Sequence, residues 1–267
     1  MKKRILIVAK TYPNRSRKYE ELVCTAGIDE DGKWYRIYPI PIKSLKEYEG
    51  LKKYTWIEAD INKDKSDPRP ESYKINISSV SLLEHIDTYK NWQFRKDIVF
   101  KSKIYNDLDE IVRLANKENR LSIVLFKPKS FLKVYFEKKE IEELTKEEKK
   151  KFANANLNLF EHESCAVDFD IMPQLSHSIK LQFEDTNGKI GKLSILDWEI
   201  SQLFLKYKDE KEAKQKVKEK MQELFNKDLH LILGTMRAMH GWTNNPFTII
   251  GIFYPPKDTG YVQSLFH

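Results

Sequence analysis

Four groups of side chains in this chain have the types and spacing to do chemistry. The first gathers cations and flat rings. Lys10, Tyr12, Arg15 and Arg17 precede Trp34, Arg36 and Tyr38, and residues 1–18 hold seven lysines and arginines and no acid. In an extended segment Trp34, Arg36 and Tyr38 fall on one face. Guanidinium and ammonium groups neutralise phosphate and rings stack on bases, so this set suits single-stranded nucleic acid or an unpaired base. The plainer alternative is cross-strand aromatic packing, with Arg36 paired to Glu58 or Asp60. The second group is Arg69, bracketed by Pro68 and Pro70 on a stiff loop that holds a guanidinium at low entropic cost. Glu71, Trp92 and Arg95 complete that set, in which Glu71 and Arg95 could form an ordinary ion pair that pins the loop, worth about 1 kcal/mol or less if exposed. The third is Asp197-Trp198-Glu199, whose carboxylates at a strand end could bind a divalent cation or act as general base. The same triplet also reads as a helix start, with Asp197 as N-cap, Glu199 favouring the helix dipole and Trp198 filling the core. The fourth is Arg237, His240 and Trp242, with Asn244 and Asn245, on a short connection between two apolar strands. It is either a pocket wall carrying a tunable imidazole or a plain hairpin connection.

Other chemistries are excluded by what is missing. No P-loop, no dinucleotide-binding glycine fingerprint, no paired-histidine zinc motif and no nucleophile elbow occur in the sequence. The two cysteines, Cys24 and Cys165, form no C-x-x-C pair, and the histidines lack cysteine neighbours, so neither a metal site nor a cofactor is expected. A reducing, cytoplasmic setting follows from the same cysteine usage, with Cys24 as a buried strand residue. No apolar run approaches the roughly 20 residues of a bilayer span. A net charge of +7, with 33% charged and 40% hydrophobic residues in 267, describes a soluble chain that favours polyanionic partners.

The elements that must position these groups are legible from their periods. Residues 4–9 are an apolar run of strand length. Segments 22–28 and 33–38 are joined by Asp29-Glu30-Asp31-Gly32, a hairpin signal, and 54–62 alternates as another strand. Closely spaced antiparallel strands with short turns predict a curled sheet or small barrel. The stretch 82–119 reads as mostly helical, 121–126 as strand and 137–151 as a charge-dense helix. Beyond it come a hairpin turning at Asn187-Gly188, a helix after Asp197, a second helix over 210–225, and strands at 229–236 and 247–253. The fold class is therefore α+β: an N-terminal antiparallel barrel-like sheet, a helical middle, and a C-terminal hairpin with helices and a strand pair. A looser boundary near 140–160 divides a module at 1–140 from one at 160–267, and the two could pack as one domain.

Lys10-Thr11-Tyr12-Pro13, Val23-Cys24-Thr25-Ala26-Gly27, the Trp34 to Pro39 run, the Asp67 to Ser72 run, the Asp197-Trp198-Glu199 triplet and the Gly251 to Pro256 run resemble a bacterial protein group over most of the chain. The resemblance implies no activity. Some members of that group carry a Cys and His cluster before the triplet, where Lys192-Leu193-Ser194 stand here, so it carries over no metal set. A looser likeness, on strand order alone, is to the small barrels of PUA-like and ASCH-like nucleic-acid domains. The reading that follows is recognition of single-stranded or modified-base RNA or DNA by the first-half cluster with Arg69, Arg237 and Trp242. One competitor is a nucleic-acid-processing or nucleotide-acting enzyme using Asp197, Glu199, Arg237 and His240. The other is a protein–protein adaptor within a larger complex. No membrane partner is expected.

Overall fold

Alternation in the first strand sets the architecture. Along β1 (Lys2–Lys10), Ile5 and Ile7 point one way and Leu6 and Val8 the other, and all four are fully buried. A strand buried on both faces has to sit between two cores, which is why it reads as a continuous apolar run. The computed structural model describes residues 1–13, 22–41, 52–140, 173–241 and 243–257.

β1 pairs antiparallel with β2 (Leu22–Ile28), and β2 with β3 (Trp34–Pro41). The β2–β3 turn is held by the Asp29 carboxylate, which accepts from the Asp31 and Lys33 amides, and by Gly32 at φ +84°. β3 pairs in parallel with β5 (Ser72–Ile75), β5 pairs antiparallel with β4 (Thr55–Lys63), and β4 returns to β1. The ring β1-β2-β3-β5-β4-β1 is a closed five-stranded barrel with the strand order of an OB-fold. β6 (Ser81–His85) adds to the β4 edge. Inside the barrel lie Ile5, Ile7, Tyr35, Ile37, Ile57, Ile61 and Tyr73.

The stretch 82–119, expected to be mostly helical, also carries strands. β6 precedes α1 (Tyr89–Val99), and β7 (Ile104–Tyr105) precedes α2 (Leu108–Asn116), which Asp107 caps. β8 (Ile123–Phe126) then joins a second sheet, ordered β13-β12-β8-β7, with β12 (His230–Thr235) and β13 (Phe247–Phe253). Residues 137–138, placed by charge in a helix, instead end β9 (Ser130–Lys138). β9 pairs with β10 (His177–Glu184), and β10 with β11 (Ile190–Ser194), in a third sheet. The rest of the expected helix lies outside the described residues. Helices α3 (Trp198–Leu205) and α4 (Glu210–Phe225) lie between β11 and β12. Because β8 pairs with β12 and β9 with β10, residues 104–138 belong with the C-terminal strands. The division of the fold therefore falls near residue 100, ahead of the 140–160 boundary read from composition.

The second sheet is apolar on both sides. Val124, Phe126, Leu231 and Leu233 face the third sheet and its helices. Ile123, Leu125, Ile232, Ile250 and Phe253 face the barrel, where they meet Leu6, Val8, Ala26, Ile28, Trp34 and Trp56. The outer face of the β1–β2–β3 meander is thus buried against the second sheet. Among the described residues, no helix is long and apolar enough to cross a membrane.

Candidate functional site at the barrel seam

The barrel meets the second unit at the end of β1. Thr11 forms an antiparallel bridge with Asp197, and the Tyr12 amide donates to the Leu196 carbonyl at 2.7 Å. Asp197 is 1% exposed and serves as N-cap of α3, its Oδ1 accepting from the Glu199 and Ile200 amides at 3.0 and 3.1 Å. The capping reading of the triplet is therefore what the structure displays. Its other oxygen, Oδ2, takes a second partner that sequence reasoning missed: Lys53, with Nζ 3.1 Å from Asp197 Oδ2 and 2.8 Å from Glu199 Oε2. Burial works against the charge on Lys53, but Asp197, Tyr54 and Glu199 outweigh it and hold its pKa above the ordinary value. Lys10 is pushed the other way, by burial first and then by the neighbouring Lys53 ammonium.

Rings surround these charges. Tyr12 packs at a tilt against Trp198 with centroids 5.4 Å apart, and its hydroxyl donates to the Pro173 carbonyl at 2.7 Å. The Lys10 ammonium sits 5.6 Å from the Trp198 ring. Tyr54, directly after Lys53, packs on Trp92 at 5.9 Å, and Trp92 packs on Tyr254 at 5.0 Å. Arg95 lies 3.9 Å from the Tyr54 ring and 4.7 Å from that of Trp92, and it donates twice to the Ile86 carbonyl. Tyr54 and Trp92 both have left-handed backbones, at φ +68° and +67°. Such a conformation is costly for an aromatic residue, and ligand-gripping segments are among the places where it persists. Beside this wall, Asp197, Glu199, Ile200, Leu203, Lys220, Leu224, Ile252 and Tyr254 line an open cleft of about 330 Å³.

The expected stacking face is not at this site. Trp34 and Arg36 do share a face, but that face is turned into the protein, 8% and 2% exposed. The second sheet covers it, so neither ring nor guanidinium can meet a base from solvent. Arg36 donates to the Ser122 carbonyl at 2.8 Å and to Cys24 Sγ at 3.4 Å, and Glu58 pairs with Lys2. Cys24 is half-buried. Tyr38 lies in β3, but its side chain, with Arg15, Arg17, Trp242 and Cys165, lies outside the described residues.

Arg69 and His240 face inward, away from this seam, whereas Arg237 is exposed. Arg69 is clamped on Asp67, and its Nη1 donates to the Thr235 carbonyl at 2.6 Å. This tethers the proline-bracketed loop to β12. Burial alone would raise the Asp67 pKa, but the Arg69 guanidinium overrides it and holds the carboxyl well below the usual range. Glu71 does not pair with Arg95; it accepts from the Ser122 amide and hydroxyl at 2.8 and 2.6 Å. Arg237 donates to the Ser66 carbonyl at 2.6 Å. His240 Nε2 lies 2.8 Å from Asn119 Oδ1, while the Asn119 amide nitrogen donates to the Pro68 carbonyl. That arrangement makes Nε2 the protonated nitrogen. Burial, then Arg69 and Arg36, push the imidazole pKa below 6.5, so the ring is neutral at pH 7. His240 therefore bonds to Asn119, Asp197 to Lys53, and the convergence an Asp197–His240 enzyme would need is not what these contacts provide. Among the described residues, no cluster of three metal-ligating side chains occurs.

The Asp197-Trp198-Glu199 triplet and Lys10–Tyr12 were visible in the sequence. Arg95 was visible too, but as a partner for Glu71; Lys53, Tyr54 and Tyr254 were not, because nothing in Lys52-Lys53-Tyr54 sets one lysine apart from a solvated neighbour. Residues 1–101 match a family described as a domain of unknown function (DUF8758), and residues 106–267 match one described as a domain of unknown function (DUF8757). The junction between the two matches, residues 102–105, follows α1 and takes in β7, where the fold passes from barrel to second unit. No curated protein matches the chain.

Proposed function

Since the chain belongs to the DUF8757 family, whose description names no activity, its function has to be argued from the seam, and we propose that the protein binds single-stranded RNA or DNA there. The observation that carries this reading is the placement of the cleft at the root of the β1–β2 loop of a barrel with OB-fold strand order. Barrels of this order bind oligonucleotides on the β2–β3 face and with the β1–β2 and β4–β5 loops. Here the β2–β3 face is covered and the β4–β5 loop is tied down through Arg69. That leaves the side from which the β1–β2 loop leaves the barrel.

The residues at that side fit the chemistry. Lys10 lies at the end of β1, and in the sequence that joins β1 to β2 it is followed by Arg15, Arg17 and Lys18. Trp198 and Tyr254 are half-exposed rings, and Lys220 lies across the cleft. Cations that track phosphate beside rings that take bases are the standard means of holding single strands without a fixed sequence.

Fluorescence anisotropy with labelled single-stranded RNA and DNA, against duplexes of the same sequence, tests the reading across a salt series. Single strands are expected to bind more tightly than duplex. The log–log salt slope should be about −0.7 for each phosphate contacted. Absence of binding to any oligonucleotide at low salt would contradict it.

A further inference from the structure

The cleft beside Glu199 has the size and lining of a pocket for one flat ring. Its volume of about 330 Å³ lies near the lower end of the range for small-ligand pockets, too little for a folded peptide or a stacked pair of bases. Ile200 and Leu203 from α3, Leu224 from α4 and Ile252 from β13 make its walls apolar, and Tyr254 adds a ring face. Four apolar side chains and a ring favour a planar, weakly polar body.

The polar groups then say what that body must carry. Asp197 is fully committed, one oxygen to the α3 amides and the other to Lys53. Glu199 is different. Its side chain is 53% exposed, and only Oε2 is engaged, by Lys53 at 2.8 Å. Its second oxygen has no partner among the described residues. Lys53, itself buried and anchored on Asp197, fixes the Glu199 carboxylate in place, so the group is a preorganised acceptor. Lys220, 6.0 Å from the Tyr254 ring centroid and held at 2.9 Å on Glu223 in an exposed pair that a phosphate can exchange for, offers a cation on the far side. The hydroxyl of Tyr54, whose ring joins Tyr254 through Trp92, is buried with no hydrogen-bond partner among the described residues.

A fixed carboxylate over an apolar slot selects for an N–H donor on the edge of a flat ring. We infer that the cleft binds a single nucleobase carrying an exocyclic amino group. The amino group donates to Glu199, the ring lies against Tyr254, and the phosphate is turned toward Lys220. Glutamate is the acceptor that matches the cytosine amino group, whereas a carbonyl in the same place sets oxygen against oxygen. This inference rests on the reading of single-strand binding and names what the bound strand inserts.

Calorimetric titration of the full chain with CMP, UMP, AMP and IMP, beside anisotropy with homopolymeric oligonucleotides, tests it. CMP is expected to bind about tenfold or more tightly than UMP, and AMP likewise against IMP, in line with the usual discrimination of a good base contact. Glu199→Gln should erase that ratio while Lys53 keeps Asp197 as partner. Leu203→Trp, which fills the cleft without touching a charge, should abolish mononucleotide binding. Equal affinities within each pair, or a ratio that survives Glu199→Gln, would overturn the inference. If oligonucleotides bind with no such preference, the base pocket falls and single-strand binding stands. If amino-bearing mononucleotides bind and no oligonucleotide does, the pocket stands and the polymer reading falls.

Discussion

An ammonium taken out of water keeps its proton only where nearby charge outweighs the lost hydration. Lys53 meets that condition through two carboxylates that the chain delivers from 144 and 146 residues away, at 3.1 and 2.8 Å. Asp197 does two jobs at once, capping α3 with one oxygen and holding Lys53 with the other. The two can be separated. Asp197→Ala removes both and is expected to cost about 3–5 kcal/mol, the range for breaking a buried pair. Asp197→Asn keeps an oxygen that can cap the helix and should cost about 1 kcal/mol less. Urea unfolding of the two variants checks this. Equal losses would mean that the cap contributes nothing, and no loss in either would mean that the pair does not hold the seam. Only half of this arrangement could be read from residues alone. The cap was legible because Asp before an apolar helix is a local signal, whereas Lys53 depends on a contact between the two halves that no local pattern encodes.

Elements buried on one face or turned tightly were legible, and those defined by their partners were not. The β2–β3 and β10–β11 hairpins follow from alternation and their turn residues. β9 was obscured by its charges. Glu137 suggested a helix surface, but across the strands it pairs with Lys180 and with Lys192, the latter at 2.8 Å. A cross-strand ladder and a helical i,i+4 pattern use the same residue types. β5 has only four residues and closes the barrel through a parallel pairing with β3, which alternation does not announce. The Trp34 and Arg36 face shows the same limit, since alternation puts both residues together but only the second sheet decides that they point inward. That sheet approaches the barrel closely. A Cβ on Gly251 of β13 would come within 2.6 Å of the Ala9 Cβ on β1. Gly251→Ala is therefore expected to destabilise the protein by about 1–3 kcal/mol, as overpacked cores do. Because one core spans barrel and second sheet, thermal unfolding should stay a single transition displaced to lower temperature. An unchanged midpoint, or a transition that splits in two, would argue against the shared core.

At the scale of the whole molecule, the second unit covers the broad outer face of the barrel and leaves a narrow seam where strand end, helix start and cleft meet. The barrel fold was anticipated from strand spacing, but the location of its open side was not, because it depends on which face the second sheet occupies. The Lys10 ammonium at the end of β1, the half-exposed rings of Trp198 and Tyr254 and the Glu199 carboxylate belong to that one side. The central claim is that a single strand lies along it. Photocrosslinking tests this most directly, using oligonucleotides that carry a photoreactive halogenated pyrimidine and mapping the adducts on the full chain by mass spectrometry. The predicted adducts fall on Trp198, Tyr254 and the segment between β1 and β2, and they are lost in Leu203→Trp at the Tyr254 position first. Adducts confined to the β9–β10–β11 sheet or to the exposed face of α4, or none at saturating oligonucleotide, would contradict the account.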